Sequence, residues 1–127
     1  MPGKRILIVE DKEENFDIIR FGLKRLRPEG DFVLFWAATL KEGGALYRKN
    51  RDDLSAVVMD ACVPGHNPNT MGLIEEIRAD GFRGLIIAAS CQPEYNKRLI
   101  EAGADVQADK VKVASMLFEL IFAALPS

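Results

Sequence analysis

Asp60 stands directly after Ala56-Val57-Val58-Met59, an apolar run that is satisfied only by burial. Beside a Pro-Gly segment an aspartate is ordinary turn chemistry, but at the tip of a buried strand it is also a carboxylate on a rigid post. Glu10 and Asp11 follow Arg5-Ile6-Leu7-Ile8-Val9 in the same way, Ser90 follows Leu85 to Ala89, and Asp109 with Lys110 follow Asp105 to Ala108. Taken singly, each of these polar residues reads as the start of a loop. Taken together, Glu10, Asp11 and Asp60 outweigh the charge of Lys110, and three carboxylates without a counter-ion repel and raise one another's pKa. A divalent cation removes that conflict. Ligation by a few oxygens suits Mg²⁺, which keeps several waters and shares a phosphoryl group, whereas zinc wants nitrogen and sulfur that are scarce here. With the cation in place Asp60 is a carboxylate nucleophile able to form an acyl phosphate. The Lys110 ammonium and the Ser90 hydroxyl would share the charge of the transferring oxygens with the metal.

These residues need a scaffold that delivers them to one place. Arg5 to Val9 is a continuous β-branched and apolar run, the pattern of a strand covered on both faces. Between Glu13 and Arg27, Phe16, Ile19, Leu23 and Leu26 recur at helical steps, and Pro28 and Gly30 end that helix. Phe32 to Ala37 reads as a second strand. Thr39 caps a helix to about Lys49, with Leu40 and Leu46 facing inward and Gly43-Gly44 as its weak point. Strands over Ala56 to Met59, Leu85 to Ala89 and Asp105 to Ala108 are separated by helical patterns in "MGLIEEIRAD" and "PEYNKRLIEAG". A last helix runs from Val113 to Leu125. Strict alternation implies right-handed βαβ units, a parallel sheet and helices on both faces, an open doubly wound α/β domain. Ligands of such sheets sit beyond the carboxyl ends of the strands, where the polar residues above are delivered.

A chain of 127 residues fits one domain with one sizeable core. A net charge of −2 supplies no field for binding along nucleic acid or an anionic membrane, local patches such as Lys24-Arg25-Leu26-Arg27 aside. The amino terminus has too short an apolar run for a signal peptide or a membrane span, so a cytoplasmic protein is expected. Cys62 and Cys91 form no disulfide framework and fit a reducing compartment. A redox pair, or a metal site completed by His66, matches no common spacing; loop and core thiols are the expectation.

The segments "ILIVEDKEENFDIIRFGLKRL", "AVVMDACVPG", "LIIAAS" and "EAGADVQADK" resemble, in order and spacing, the receiver domain of two-component response regulators over nearly the whole chain. The resemblance implies a flavodoxin-like, five-stranded parallel sheet of order 2-1-3-4-5 with five helices. It also implies that Glu10 and Asp11 are the metal-binding acid pair, Asp60 the phosphoacceptor and Ser90 the switch hydroxyl. Lys110 would be the lysine that contacts the phosphoryl group, and the backbone carbonyl of Cys62 a further Mg²⁺ ligand. The implied partners are a histidine kinase or phosphotransfer protein upstream and a protein downstream. The activity is signalling rather than enzymatic, apart from self-catalysed phosphoryl transfer and slow autodephosphorylation. With no room after Leu125 for an output domain, a single stand-alone or excised receiver over residues 1–127 is expected, its output by protein contact.

Three features depart from the family pattern. Gln107 replaces an aromatic residue three before the lysine, Val111 replaces the proline that follows it, so that a trans peptide is expected there, and "CVPGHNPNTMG" is a long connection to the third helix. They leave a second reading open, a receiver-like interaction module that signals without phosphorylation. A third, a small phosphohydrolase, lacks a general acid-base two residues after Asp60, where Cys62 stands. In the last helix, an inward face of Val113, Leu117, Leu120, Ile121 and Ala124 leaves Phe118, Phe122 and Leu125 on another flank. That flank is expected either to pack on the preceding helix or to form a homodimer or docking surface.

Overall fold

The computed structural model describes residues 3–65 and 67–122. β1 (Lys4–Val9), β2 (Phe32–Ala37), β3 (Leu54–Met59), β4 (Leu85–Ala88) and β5 (Val106–Gln107) form one parallel sheet in the order β2-β1-β3-β4-β5. The intervening helices are α1 (Glu13–Leu26), α2 (Leu40–Asn50), α3 (Met71–Ala79) and α4 (Pro93–Ala102). α5 (Val113–Leu117) continues as a π-helical turn over Phe118–Phe122, and a short 3₁₀ turn, Glu29–Asp31, leads into β2. The doubly wound order implied by the resemblance is the order found.

Both faces of the sheet are covered, which is why its central strands carry no polar alternation. Leu7 and Val9 of β1, Val57 and Met59 of β3, and Ile86 and Ala88 of β4 face one core, shared with α2, α3 and α4. Their neighbours Ile6, Ile8, Ala56, Val58, Ile87 and Ala89 face the other, shared with α1 and α5. Period-two alternation therefore survives as a division between two buried layers.

Two glycines set how closely these layers approach. A Cβ at Gly22 would lie 2.9 Å from the Ala114 Cβ, so α1 meets α5 backbone to small side chain. A Cβ at Gly43 would lie 3.2 Å from Val9 and 3.3 Å from Leu73, so the apparent weak point of α2 is the place where it lies down on β1 and α3. The helix runs through both glycines, held at its start by a reciprocal cap. Thr39 Oγ1 accepts from the Glu42 N–H (3.1 Å), while the Glu42 carboxylate accepts from the Ala38 N–H (2.9 Å).

The sequence pattern erred on the last helix. Val113 and Leu117 are fully buried as expected, but Leu120 is 51% exposed and Phe122 is fully buried in the α1–α5 core. A π turn advances five residues per hydrogen-bonded ring instead of four, so the inward series is Val113, Leu117, Phe122 rather than one at constant helical phase. Phe118 and Ile121 are half-buried against the same core. The proposed Phe118–Phe122–Leu125 flank is thus not a free surface at Phe122; Leu125 and Ala124 lie outside the described residues, as does His66. β5 is also shorter than expected, although the Asp105 and Ala108 N–H groups extend its pairing to Ile86 and Ala88 carbonyls, each at 2.9 Å. Among the described residues no helix is long and apolar enough to cross a membrane.

Candidate phosphoacceptor site

The register of the sheet carries the site. Val9 pairs with Ala37 and Met59, and Met59 pairs with Ala88, so the first residues beyond β1, β3 and β4 emerge side by side. Hydrogen bonding continues past the strand ends. The Glu10 N–H donates to the Ala37 carbonyl (2.9 Å), the Asp60 N–H to the Val9 carbonyl (3.0 Å) and the Ala89 N–H to the Met59 carbonyl (2.9 Å). The backbone of each acid is therefore an extension of the sheet rather than part of a loose loop.

Glu10, Asp11, Asp60, Ser90 and Lys110 line one cleft of about 500 Å³, together with Cys62. One carboxylate oxygen from each of Glu10, Asp11 and Asp60 lies within 4.8 Å of the other two. Lys110 is placed among them, its Nζ 2.5 Å from Glu10 Oε1 and 3.2 Å from Asp60 Oδ1. Every residue read from the sequence as a site residue thus reaches the same space. The peptide between Lys110 and Val111 is trans, as expected; the cis peptide among the described residues is Val63–Pro64.

Glu10 is the electrostatic centre of strain. It is 1% exposed, and burial pushes its carboxyl above the ordinary glutamate value, an effect that Lys110 opposes and the Asp60 charge reinforces. Its Oε2 accepts from the Lys12 N–H (3.2 Å). Its Oε1 is buried and lacks a well-oriented hydrogen bond, even with the Lys110 ammonium beside it. A buried carboxylate oxygen with spare lone pairs, facing two other carboxylates, is the donor set that a hard divalent cation fits, and the residues present match that requirement.

The structure supplies supports that residue types alone do not reveal. Asn96, buried in α4, accepts from the Ser90 N–H (2.9 Å) and donates to the Ser90 carbonyl (2.8 Å). Ser90 Oγ accepts from the Gln92 N–H (3.1 Å), which leaves the hydroxyl proton available to a ligand in the cleft. Thr70, fully buried, donates to the Asp60 carbonyl (2.7 Å), and Asn69 exchanges two hydrogen bonds with Val63 (2.9 and 3.0 Å). These bonds order the long connection from Asp60 to α3. A polar residue six positions after Ser90 inside an amphipathic helix was the available clue to Asn96.

The two thiols flank this cleft. Cys62 is buried, with its thiol pushed up by burial and by the Asp60 and Asp11 charges, while Cys91 is exposed. Among the described residues neither joins a third metal-ligating side chain; the metal-competent group is Glu10, Asp11 and Asp60. Gln107 is exposed on β5 and lines a second, smaller cleft that also borders Ser90.

This arrangement of a five-stranded sheet with acids at the ends of β1 and β3 is the fold of response regulator receiver domains. A two-component response regulator of the LuxR family from Aurantimonas sp. matches at 26% identity and a TM-score of 0.68, over 95% of this chain and 84% of its own. A response regulator from Burkholderia pseudomallei, solved with a phosphorylated aspartic acid, a calcium ion and citrate, matches at 18% identity and a TM-score of 0.70, over 92% of this chain and 66% of its own. The Mn²⁺-bound form of response regulator Rcp1 matches at 13% identity and 0.70, over 97% of both chains. At these last two identities the likeness is one of fold. No family model and no curated protein sequence matches the chain.

Proposed function

We propose that this receiver-fold chain is a phosphoacceptor module of two-component signalling, in which Asp60 takes a phosphoryl group from a histidine kinase or a phosphotransfer protein. One observation carries the reading: the carboxylates of Glu10, Asp11 and Asp60 converge within 4.8 Å, with the Lys110 ammonium 3.2 Å from Asp60. Glu10, Asp11, Asp60 and the Cys62 backbone carbonyl would hold Mg²⁺. When bound, that ion neutralises charge on the transferring oxygens. Asp60 Oδ attacks phosphorus as the bond from phosphorus to the nitrogen of the donor's phosphoimidazole, protonated on its other nitrogen, breaks, leaving an acyl phosphate on the protein and a neutral imidazole on the donor. Lys110 pairs with the phosphoryl oxygens, and Ser90, its hydroxyl proton uncommitted, donates to one of them. The phosphorylated aspartate and bound calcium of the Burkholderia relative support this chemistry. We place the module in the cytoplasm and its output in contact with a downstream protein.

A second reading, signalling through protein contact alone, is favoured by Gln107, which is exposed where the resemblance leads one to expect an aromatic ring. Incubation with acetyl phosphate and Mg²⁺ followed by intact mass distinguishes the two. One phosphoryl adduct, absent in Asp60→Asn and absent with chelator, is the expected result. No adduct in a folded wild-type protein that binds the metal selects the second reading.

A further inference from the structure

Trp36, the single tryptophan, lies at the end of β2 and belongs to neither the acid cluster nor the cleft lining. Its indole N–H donates to the backbone carbonyl of Glu10 at 2.6 Å. Its ring stacks on Phe16 in the first turn of α1, with centroids 5.2 Å apart and planes 12° from parallel. The peptide that joins Glu10 to Asp11 is consequently held at both of its neighbours. The Glu10 N–H is bound to Ala37 (2.9 Å), the Glu10 carbonyl to the indole, and the Lys12 N–H returns to the Glu10 carboxylate (3.2 Å).

We propose that Trp36 is a positioning residue for the divalent cation: its indole N–H and its stack on Phe16 fix the plane of the Glu10–Asp11 peptide, and so the aim of the two adjacent carboxylates. The inference rests on the reading of Glu10 and Asp11 as metal ligands. The physical reason is geometric. Two consecutive residues place their side chains on opposite sides of an extended backbone, so both carboxylates reach one ion only if the intervening peptide holds a particular rotation. Asp11 is half-exposed, and the side-chain hydrogen bond it makes among the described residues is a long one, from the Gly65 N–H at 3.4 Å. It therefore depends on its backbone for orientation. Hydrogen bonds one step removed from a metal commonly govern affinity by ten- to a hundredfold.

The test uses Mn²⁺ as the probe, with dissociation constants from calorimetry on wild type, Trp36→Phe and Asp11→Asn. Trp36→Phe keeps an aromatic ring for Phe16 and deletes the N–H. An affinity loss of about tenfold in a variant that is still folded without metal supports the proposal. Unchanged Mn²⁺ affinity in Trp36→Phe, with binding lost in Asp11→Asn, overturns it while leaving the metal site standing. Wild-type protein that binds no Mn²⁺ overturns the metal reading and this proposal with it. Should Trp36→Phe fail to fold, the wild-type tryptophan emission decides. A saturable change on titration with Mg²⁺, absent in Asp11→Asn, supports the coupling, and an emission blind to bound metal refutes it.

Discussion

The Lys110 ammonium lies 2.5 Å from Glu10 Oε1, so it is paired with the most buried carboxylate of the cleft while standing 3.2 Å from Asp60. Under the proposed function Lys110 would compete with a divalent ion for the same negative charge, and from 3.2 Å it would also contact a phosphoryl group on Asp60.

Lys110→Met separates these roles. A unit charge about 4 Å away is worth a few kcal/mol before solvent screening reduces it, so metal affinity is expected to rise on the order of tenfold. The rate of adduct formation from acetyl phosphate at saturating Mg²⁺ is expected to fall. Calorimetry gives the first quantity and intact-mass kinetics the second. A fall in both would mean that Lys110 organises the site instead of competing within it.

Asn96→Ala removes the partner of both the N–H and the carbonyl of Ser90, two groups that are buried. Leaving a buried polar group unpaired costs about 1–3 kcal/mol, so the urea midpoint should drop accordingly. The adduct yield at long times is expected to persist, since Asp60 is untouched. A variant as stable as wild type would show that water or the Gln92 segment takes over the bonds.

The phase shift at the end of α5 is testable by contrast. Phe122→Ala deletes a fully buried ring and is expected to cost about 3–5 kcal/mol. Leu120→Asp changes an exposed side chain and should stay within about 0.5 kcal/mol. Equilibrium denaturation of both reads the helix phase directly, and reversed magnitudes would restore the uniform helix expected from periodicity.

At the opposite end of the sheet, the Tyr47 hydroxyl donates to Asp80 Oδ2 (2.7 Å) and Arg51 pairs with the same carboxylate. Burial and the Asp80 bond push the Tyr47 hydroxyl up to about 12, while that bond, followed by Arg51, holds Asp80 below its ordinary value of 3.8. Tyr47 has the raised pKa, so its contribution is complete below pH 10 and is lost as pH rises toward about 12. Asp80 has the depressed pKa, so its contribution is present above pH 3.8 and is lost as pH falls through the lower, folded-state value. The melting temperature of wild type is thus expected to exceed that of Tyr47→Phe at neutral pH, with the gap closing at both extremes. A gap that does not depend on pH would remove the hydrogen bond as its cause.

Much of the architecture was legible because it is written in local patterns. Continuous apolar runs at Ile6–Val9 and Val57–Met59 require cover on both faces, and the two cores supply it. Thr39, Pro93 and Gly103 mark helix ends by the turn chemistry they perform in the structure. Gly43 was read as a weakness because propensity is local, whereas its use is a close approach to Val9 and Leu73. Phe122 was misplaced because a π turn leaves no mark in hydrophobic spacing until its register has slipped.

The site divides along the same line. By itself the sequence determined which chemical groups stand at the strand ends, namely Glu10, Asp11, Asp60, Ser90 and Lys110, because strand length and residue type are local properties. Only the tertiary structure decided that β1 lies beside β3, that the Glu10 and Asp60 carboxylates share one ammonium, and that Asn96, Thr70 and Trp36 hold the backbone beneath them. Those relations are hydrogen bonds and charge contacts between segments far apart in the chain. Their strength depends on burial and direction, which exist only once the sheet has closed around them.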